Sequence, residues 1–239
     1  FRITSDLVPF ASHPVCTFNW KKYFKKNFNR IGAFIKQHEM RTSMHPDQFT
    51  LINSIDEEIF KKSLRELEYH ADVLDLMELD KSAKIQIHVG GVYGNKPLSI
   101  ERFIKRYKKI PDKIKQRLVI ENDERSYSFN DCYKIFQRIN IPIVLDVFHH
   151  SLLPDNLTVS KALDLQKKTW KKDDGKPIVD YSSQEPGKRK GKHAETIDLK
   201  DFAEFLLTAE KFQIDIMLEI KDKELSALKS PGRFSPPGE

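Results

Sequence analysis

The chain is poor in cysteine and has no long apolar run. Its only two cysteines, Cys16 and Cys132, are far apart in 239 residues and fall in different predicted elements, which supports neither a disulfide framework nor a cysteine-based zinc site. No apolar run approaches the ~18 residues that cross a bilayer, and Phe1–Thr4 lacks the charged and apolar regions of a signal peptide. We therefore expect an intracellular protein without a membrane partner, cytoplasmic in a prokaryote or nuclear in a eukaryote.

The composition is that of a folded protein with one core. Hydrophobic residues make up 39% of the chain and aromatic residues 10%, which excludes a largely disordered chain and allows one substantial core. We expect a single domain over residues 1–229 and a flexible tail or vector remnant over Ser230–Glu239, which holds three prolines and two glycines. The excess of 41 Lys and Arg over 35 Asp and Glu suits a polyanionic partner without being diagnostic of one.

Short apolar runs alternate along the chain with segments of helical period, as in the run Lys84–Val89 and the helix predicted around Ile100–Ile114. Repeated βα units of this kind predict a parallel sheet covered by helices. The seven candidate strands are Phe1–Thr4, Arg41–His45, Lys84–Val89, Arg117–Glu121, Ile141–Val147, Lys176–Tyr181 and Ile214–Glu219.

The predicted helices are apolar on one side. Phe60, Leu64, Leu67, Ala71 and Leu74 are spaced by four and three residues, as a helix packed on a sheet requires. The fold class that follows is α/β, a TIM-type (β/α)8 barrel. Because such a barrel has eight strands, we expect the first βα unit to be lacking.

Metal-ligand side chains fall at the carboxyl ends of the predicted strands. In a barrel these ends converge on one face, so residues distant in sequence become neighbours around one pocket. Five strands end in this way, a sixth ends at Asp180, and two further histidines, His149 and His193, follow closely. The five strand-end residues are His45, His88, Glu121, Asp146 and Glu219.

Carboxylates and imidazoles that share one pocket are costly to desolvate unless cations are bound there. The pattern therefore predicts a site for several divalent metals, and mixed His and carboxylate ligation suits Zn²⁺, Mn²⁺ or Fe²⁺ better than Ca²⁺. His38 and His70 lie on predicted helices, away from the strand ends, and we interpret them as surface or packing residues. His150 is interpreted in the same way.

Eight segments together resemble the UV damage endonucleases, in the same order and from Phe1 to about Lys223. The combination of the second, third and seventh segments is more specific than any one of them. The segments are RITSDLVPFASH, MHPDQF, IHVGGVYGNK, VIENDE, LDVFHH, VDYSSQ, GKHAETID and LEIKDKE.

The resemblance implies a (β/α)8 barrel related to endonuclease IV, with two to three divalent metals at its carboxyl-terminal rim. Mn²⁺ is the expected metal, with Zn²⁺ or Mg²⁺ as alternatives. Glu121 and Glu219 would bridge metals, and His13 matches a family histidine that is a ligand or a phosphate contact. The ligands implied by matching positions are His45, His88, Glu121, Asp146, His149, His193 and Glu219.

The resemblance also implies two lesion-probing residues, Gln48 and Phe49. A glutamine can hydrogen-bond exposed base edges, and an aromatic ring can enter the gap beside a flipped base. A basic run before His193 is a candidate contact for the DNA backbone, although such runs are usually solvated loops. Its members are Lys188, Arg189, Lys190 and Lys192.

Several positions depart from the family pattern. Asp180 stands where some relatives have a metal-binding histidine, and aspartate is a competent ligand that changes the local charge. Ile178 stands where a modified lysine contributes a ligand in a relative, and isoleucine cannot replace it. Phe49 keeps the ring of a family tyrosine and loses the hydroxyl. These departures make a third metal the least secure part of the prediction.

The resemblance implies an endodeoxyribonuclease, with Glu121, Glu219 and His13 as catalytic residues. We expect a monomer that binds damaged double-stranded DNA and hydrolyses the phosphodiester on the 5′ side of UV photoproducts, with abasic sites as a further substrate. The hypothesis is attack by an activated water near Glu121 and Glu219, which needs the charge neutralisation that a metal cluster supplies. Alternatives are an abasic-site endonuclease, a sugar isomerase, a small-molecule phosphoesterase and a catalytically silent damage-binding module.

Overall fold

Seven parallel strands form a nearly closed barrel in the computed structural model, which describes residues 1–230. Each strand pairs with the next along the chain, in the order β1 to β7, so the predicted TIM-type α/β fold is confirmed. Among the described residues, β1 and β7 have one strand neighbour each, and no eighth strand lies between them. The strands are β1 Arg2–Ile3, β2 Ser43–Met44, β3 Lys84–His88, β4 Leu118–Glu121, β5 Ile143–Asp146, β6 Ile178–Tyr181 and β7 Asp215–Leu218.

Helices follow the strands and cover the outside of the barrel. The helix predicted from the spacing of Phe60 to Leu74 is present as α2, where Leu67, Ala71 and Leu74 are fully buried. The helices are α1 Trp20–Gln37, α2 Glu57–Leu76, α3 Lys96–Tyr107, α4 Asp112–Lys115, α5 Phe129–Ile139, α6 Val147–Leu152, α7 Val159–Lys167, α8 Leu199–Ala209 and α9 Glu224–Lys229.

The continuous helix predicted around Ile100–Ile114 is wrong, because the chain forms two helices there. The first, α3, ends at Tyr107, and the second, α4, begins after Pro111. A proline restricts the preceding residue to extended backbone and lacks an N–H for the helical ladder. The interruption follows from this chemistry, and the apolar period alone hid it.

The tail predicted for Ser230–Glu239 lies, apart from Ser230, outside the described residues. Within residues 1–230, none of the helices combines the length and the apolar character that crossing a bilayer requires.

Alternation along the strands separates an apolar outer face from a partly polar interior. On β3, Ile85 and Ile87 belong to the main core, while Gln86 and His88 make polar contacts with residues of other strands. Successive side chains of a strand point to opposite faces, which explains why every second residue is polar here. A second apolar cluster, here called the apolar floor, includes residues that stand two positions before the strand-end ligands. Its members are Val119, Val144, Trp170, Ile178 and Met217.

Arg117 joins three loop carbonyls beside the start of β4. Its buried guanidinium donates hydrogen bonds to the carbonyl oxygens of Leu79 (2.8 Å), Asp80 (2.6 Å) and Ala83 (3.2 Å). These carbonyls belong to the connection between α2 and β3. One side chain therefore supplies donors to the carbonyls of Leu79 and Ala83 and adds a second donor to that of Asp80, which also accepts from the Ala83 N–H at 3.3 Å.

We predict that Arg117→Met lowers the free energy of unfolding by about 3 kcal/mol, because buried carbonyls lose their donors. The measurement is urea unfolding followed by circular dichroism. Arg138→Met is the matched control, since Arg138 pairs with Glu101 on the surface and exposed pairs contribute about 0–1 kcal/mol. Equal losses of unfolding free energy in the two variants would contradict the stabilising role of the Arg117 hydrogen bonds.

Candidate metal centre

Three strands bring His45, His88 and Glu121 together at the carboxyl end of the barrel. The Nε2 atoms of both histidines lie 2.9 Å from the same carboxylate oxygen, Glu121 Oε1. One ligand atom from each of the three residues lies within 4.8 Å of the other two. This is the spacing at which a single divalent ion can be held by imidazole and carboxylate ligands.

A second group of potential ligands shares Glu121 with the first. Glu121, Asp146 and Asp180 are all buried, and each offers a carboxylate oxygen within 4.8 Å of the others. The backbone of Asp146 is tied to Asn122, whose side-chain amide donates to the Asp146 carbonyl at 2.9 Å. The Asn122 Oδ1 accepts from the Asp146 N–H at 3.0 Å, so the strand end that presents this carboxylate is held from both directions.

Four imidazole rings, including those of His45 and His88, form a row around the carboxyl end of the barrel. The ring centroids of His45 and His88 are 5.2 Å apart, those of His88 and His149 are 6.3 Å apart, and those of His149 and His193 are 5.9 Å apart. All four histidines predicted as ligands are therefore neighbours in one row, although the first and the last lie far apart in the printed sequence.

Backbone carbonyls orient three of these imidazoles. The Nδ1 atoms of His45, His149 and His193 lie 2.9 Å, 3.2 Å and 2.8 Å from the carbonyl oxygens of Pro46, Asn122 and Glu219. A carbonyl oxygen accepts, so each Nδ1 must carry the proton, which leaves the Nε2 lone pair free. Metal-bound histidines are held in this tautomer by the same kind of outer contact.

The tautomer of His45 determines how its contact with Glu121 is interpreted. If His45 carries its proton on Nδ1, its Nε2 lone pair faces the negative Glu121 oxygen at 2.9 Å. Two electron-rich atoms at this distance repel unless a cation or an added proton lies between them. The geometry therefore fits a divalent ion shared by the two histidines and Glu121.

The electrostatics of the histidines agree with this interpretation. Burial lowers the pKa of His88, but the negative Glu121 outweighs burial and raises the pKa to about 9. Burial opposes ionisation of Glu121 as well, yet His88 and His45 hold its pKa well below the usual range. In the absence of a metal, protons supply the positive charge that this part of the cluster needs.

Asp146 contacts one imidazole, with His149 Nδ1 3.2 Å from its Oδ2. Burial raises its pKa well above the usual value, and the negative charges of Glu219, Asp180 and Glu121 raise it further. Its Oδ1 accepts from the His149 N–H at 2.7 Å, which offsets only a small part of the cost. Ionised Asp146 beside three other carboxylates therefore favours binding of a divalent cation.

Sequence reasoning missed two interior residues, Arg2 and Gln86. Arg2 Nη2 donates to both carboxylate oxygens of Asp180 at 3.0 Å, and Nη1 donates to Glu219. Gln86 donates to Glu121 and Asp180 and accepts from Arg2. Gln86 stands two residues before the predicted ligand His88, so alternation puts both side chains on one face once the strand is placed; Arg2, in a strand of two residues, carries no such signal.

His70 and Tyr69 of α2 support the loop that follows β1. The Tyr69 hydroxyl donates to the Ser5 carbonyl at 3.0 Å, and the Ser5 hydroxyl lies 3.1 Å from His70 Nε2 and 2.6 Å from the His45 carbonyl. The prediction that His70 is a packing residue holds, since it is fully buried. Through the Ser5 hydroxyl, His70 is also connected to the backbone carbonyl of the candidate ligand His45.

The two predicted lesion-probing residues are exposed just beyond His45. Phe49 is 73% exposed and Gln48 is exposed as well. The Asp47 side chain accepts from the Phe49 N–H at 3.1 Å, and the Asp47 carbonyl accepts from the Thr50 N–H at 2.9 Å. This turn presents a large apolar ring to solvent beside the candidate metal centre.

The predicted basic loop is closed by Gln184 and ends at His193. Gln184 Nε2 donates to the Arg189 carbonyl at 3.0 Å, and Gln184 Oε1 accepts from the Gly191 N–H at 2.9 Å. Lys188, Arg189 and Lys190 are exposed. None of the three forms an ion pair in the part of the chain that the structure describes.

His13 lies in the long loop between β1 and α1. It is exposed, and its Nδ1 accepts a hydrogen bond from the Val15 N–H at 3.2 Å. The ligand groups of residues 1–230 that could hold a metal do not include it. Its role as a ligand or phosphate contact stays a prediction.

The family model described as UV-endonuclease UvdE matches residues 1–230. The chain belongs to this family. A UV DNA damage endonuclease of Clostridium perfringens is 44% identical over 231 residues, and one of Bacillus cereus is 38% identical over the same length. Each alignment includes 96% of this chain, but the chain spans only 56% of the Clostridium protein and 73% of the Bacillus protein.

Solved structures agree with the UvdE assignment. The crystal structure of SacUVDE superposes with a TM-score of 0.91 at 46% identity, covering 96% of this chain and 77% of that chain. Endonuclease IV from Thermus thermophilus superposes with a TM-score of 0.62 at 14% identity, covering 95% of this chain and 85% of that one. The second likeness shows the shared barrel fold alone.

His70, which is buried and contacts the loop after β1, should make the stability of the protein depend on pH. Burial lowers the pKa of His70 from 6.5, so the unfolded chain binds a proton below pH 6.5 that the folded chain does not. Folded-state stability should therefore fall as the pH falls through 6.5, by up to about 1.4 kcal/mol per pH unit from this group.

We predict that His70→Gln flattens the dependence of the free energy of unfolding on pH between pH 7 and pH 5. Urea unfolding at several pH values measures the slope. The difference between variant and wild type at pH 8 reports the lost hydrogen bonds separately, because His70 is neutral there in both states. Parallel curves for the two proteins would show that His70 is not buried in its neutral form.

Proposed function

We propose that the chain is a metal-dependent DNA repair endonuclease that hydrolyses the phosphodiester on the 5′ side of UV photoproducts. Membership of the UvdE family and its relatives named UV DNA damage endonucleases support a DNA repair nuclease. The observation that carries the metal dependence is the convergence of two Nε2 atoms on one oxygen of Glu121. The tautomers of the surrounding histidines supply free lone pairs for the same purpose.

The proposed centre holds two to three divalent ions, with Mn²⁺ first and Zn²⁺ or Mg²⁺ as alternatives. When bound, such ions lower the pKa of a water, neutralise phosphate oxygens and stabilise the departing 3′ oxygen. The proposed ligands are His45, His88, Glu121, Asp146, His149, His193 and Glu219, with Asp180 as a further candidate.

The chain's own residues set the position of the reacting groups in this proposal. Glu121 and Glu219 are the carboxylates proposed to accept a proton from the attacking water. Glu219 is 22% exposed at its side chain and Glu121 is 2% exposed, so Glu219 is the more accessible of the two. His13, on the exposed loop after β1, is proposed to contact the phosphate.

DNA recognition is proposed to use the exposed loops beside the centre. Phe49 would fill the gap left by unstacked damaged bases, and Gln48 would hydrogen-bond the partner base edges. Lys188, Arg189 and Lys190 would bind the backbone, because their charges have no carboxylate partner among the described residues and the loop ends at a candidate ligand. The protein would act as a monomer on double-stranded DNA.

The structures of sugar epimerases also share the barrel, as in D-psicose 3-epimerase from Clostridium cellulolyticum H10 with a TM-score of 0.57 at 14% identity. At this identity the likeness concerns the fold alone. The Phe49 ring is 73% exposed, and the basic loop forms no ion pair among the described residues. Neither feature is needed to bind a small sugar, so both favour the nuclease.

We predict that Glu121→Gln lowers nicking of UV-irradiated supercoiled plasmid at least about 100-fold, because it removes the charge shared by both metal groups. Glu101→Gln is the matched control, since Glu101 is exposed on α3 and pairs with Arg138, and it should keep wild-type activity. Conversion of supercoiled to open-circular plasmid with added Mn²⁺ gives the rate. Equal nicking by Glu121→Gln and wild type would identify a contaminating nuclease.

We also predict that Phe49→Ala weakens binding to irradiated duplex about 10-fold, because stacking of one base on an aromatic ring contributes about 1–3 kcal/mol. Binding to the undamaged duplex should change little. Fluorescence anisotropy with both duplexes measures the ratio. Phe34→Ala is the control, since Phe34 is 54% exposed on α1; an equal loss in the control would remove the special role of Phe49.

A further inference from the structure

Arg2 is a cation inside the barrel, and among the described residues it pairs with Asp180 and Glu219, whereas the two histidines pair with Glu121. Its guanidinium donates to Asp180 and Gln86 through Nη2, each at 3.0 Å, and to Glu219 through Nη1. Its Nε is buried and has no hydrogen-bond partner among the described residues. The guanidinium is therefore held by the acidic cluster rather than by the surrounding backbone.

The cluster divides into two sides that are balanced differently. His45 and His88 face Glu121, and these two imidazoles can exchange a proton for a metal ion. Asp180 and Glu219 face Arg2, and within residues 1–230 their carboxylates have no other cationic partner. Arginine stays charged at all working pH values, so the positive charge that Arg2 supplies to this side does not depend on a bound ion.

Gln86 connects the two sides. Its amide nitrogen donates to Glu121 and Asp180, and its amide oxygen accepts from Arg2. The amide orientation is set by these partners, because reversing it would place an oxygen against two carboxylates and an NH₂ group against the guanidinium. The interior thus contains a continuous hydrogen-bonded path from the histidine side to the arginine side.

The residue that precedes Asp180 on the same face of β6 supplies no further ligand. Ile178 occupies β6 two positions before Asp180 and packs in the apolar floor with Val119, Val144 and Trp170. A divalent ion at the arginine side would have Asp180 and Glu219 as carboxylate ligands and a guanidinium at hydrogen-bond distance from both. A planar fork that spans two carboxylates is the arrangement that arginine provides best.

We propose that the Arg2 guanidinium takes the place of a divalent ion on the Asp180–Glu219 side, which limits the cluster to two metal ions. The inference rests on the proposed metal centre and narrows it. Asp180 becomes the partner of Arg2 and ceases to be a metal ligand. Glu219 is shared, with one oxygen toward Arg2 and the other available to a metal.

The experiment is a count of Mn²⁺ ions per chain by native mass spectrometry of the purified full chain after saturation and desalting. Wild type should hold two ions. Arg2→Met, which keeps an unbranched stem and removes the charged group, should hold three, and Arg2→Lys should hold two because it restores a cation. Arg138→Met is the control and should also hold two. Three ions in wild type, or an unchanged count in Arg2→Met, would overturn the proposal.

A second variant keeps the test decisive if Arg2→Met does not fold. Asp180→Asn should hold two ions, because in the proposal its carboxylate binds Arg2 and no metal. Loss of one ion in Asp180→Asn would overturn the proposal. A wild-type chain that holds no ion would instead refute the metal centre itself, and the role of Arg2 with it, so the two failures have different signatures.

Discussion

The cost of burying four carboxylates in one barrel mouth governs the rest of the structure. Glu121, Asp146, Asp180 and Glu219 arrive from four strands, and burial together with their mutual repulsion raises the pKa of Asp146 well above its usual value. An ionised cluster of this kind is stable only with compensating positive charge. The paired imidazoles, the internal arginine and the proposed metal ions are the responses to that single requirement.

Much of the barrel and of the centre could be predicted from the sequence because strand ends are marked twice. An apolar run predicts a buried strand, and a ligand residue directly after it, as at His88 or Glu121, predicts what the rim presents. Pairing in parallel then places these ends together without further information. The split of the helix after Tyr107 was missed because the apolar period continued through Pro111.

Arg2 and Gln86 could not be predicted in the same way, for a physical reason. A strand of two residues such as β1 carries no measurable alternation, so the direction of Arg2 depends on the register of its pairing with β2. Gln86 lies inside an apolar run, where its direction is visible only once β3 is placed. His70 reaches Ser5 through tertiary packing of α2, which no local pattern encodes.

The separation of roles between strands and loops explains how one barrel can be specialised. The centre is built on strand ends, whose positions are fixed by ladder hydrogen bonds and by contacts such as Asn122 to Asp146. Phe49 and the basic loop before His193 lie outside the sheet, where exposed side chains can change without disturbing the core. Because a cation supplied by Arg2 is part of the folded chain, one of the two negative charges on the arginine side of the cluster can be balanced before any ion binds. The histidine side, whose pKa values are raised by Glu121, is then the part of the centre whose charge responds to metal concentration.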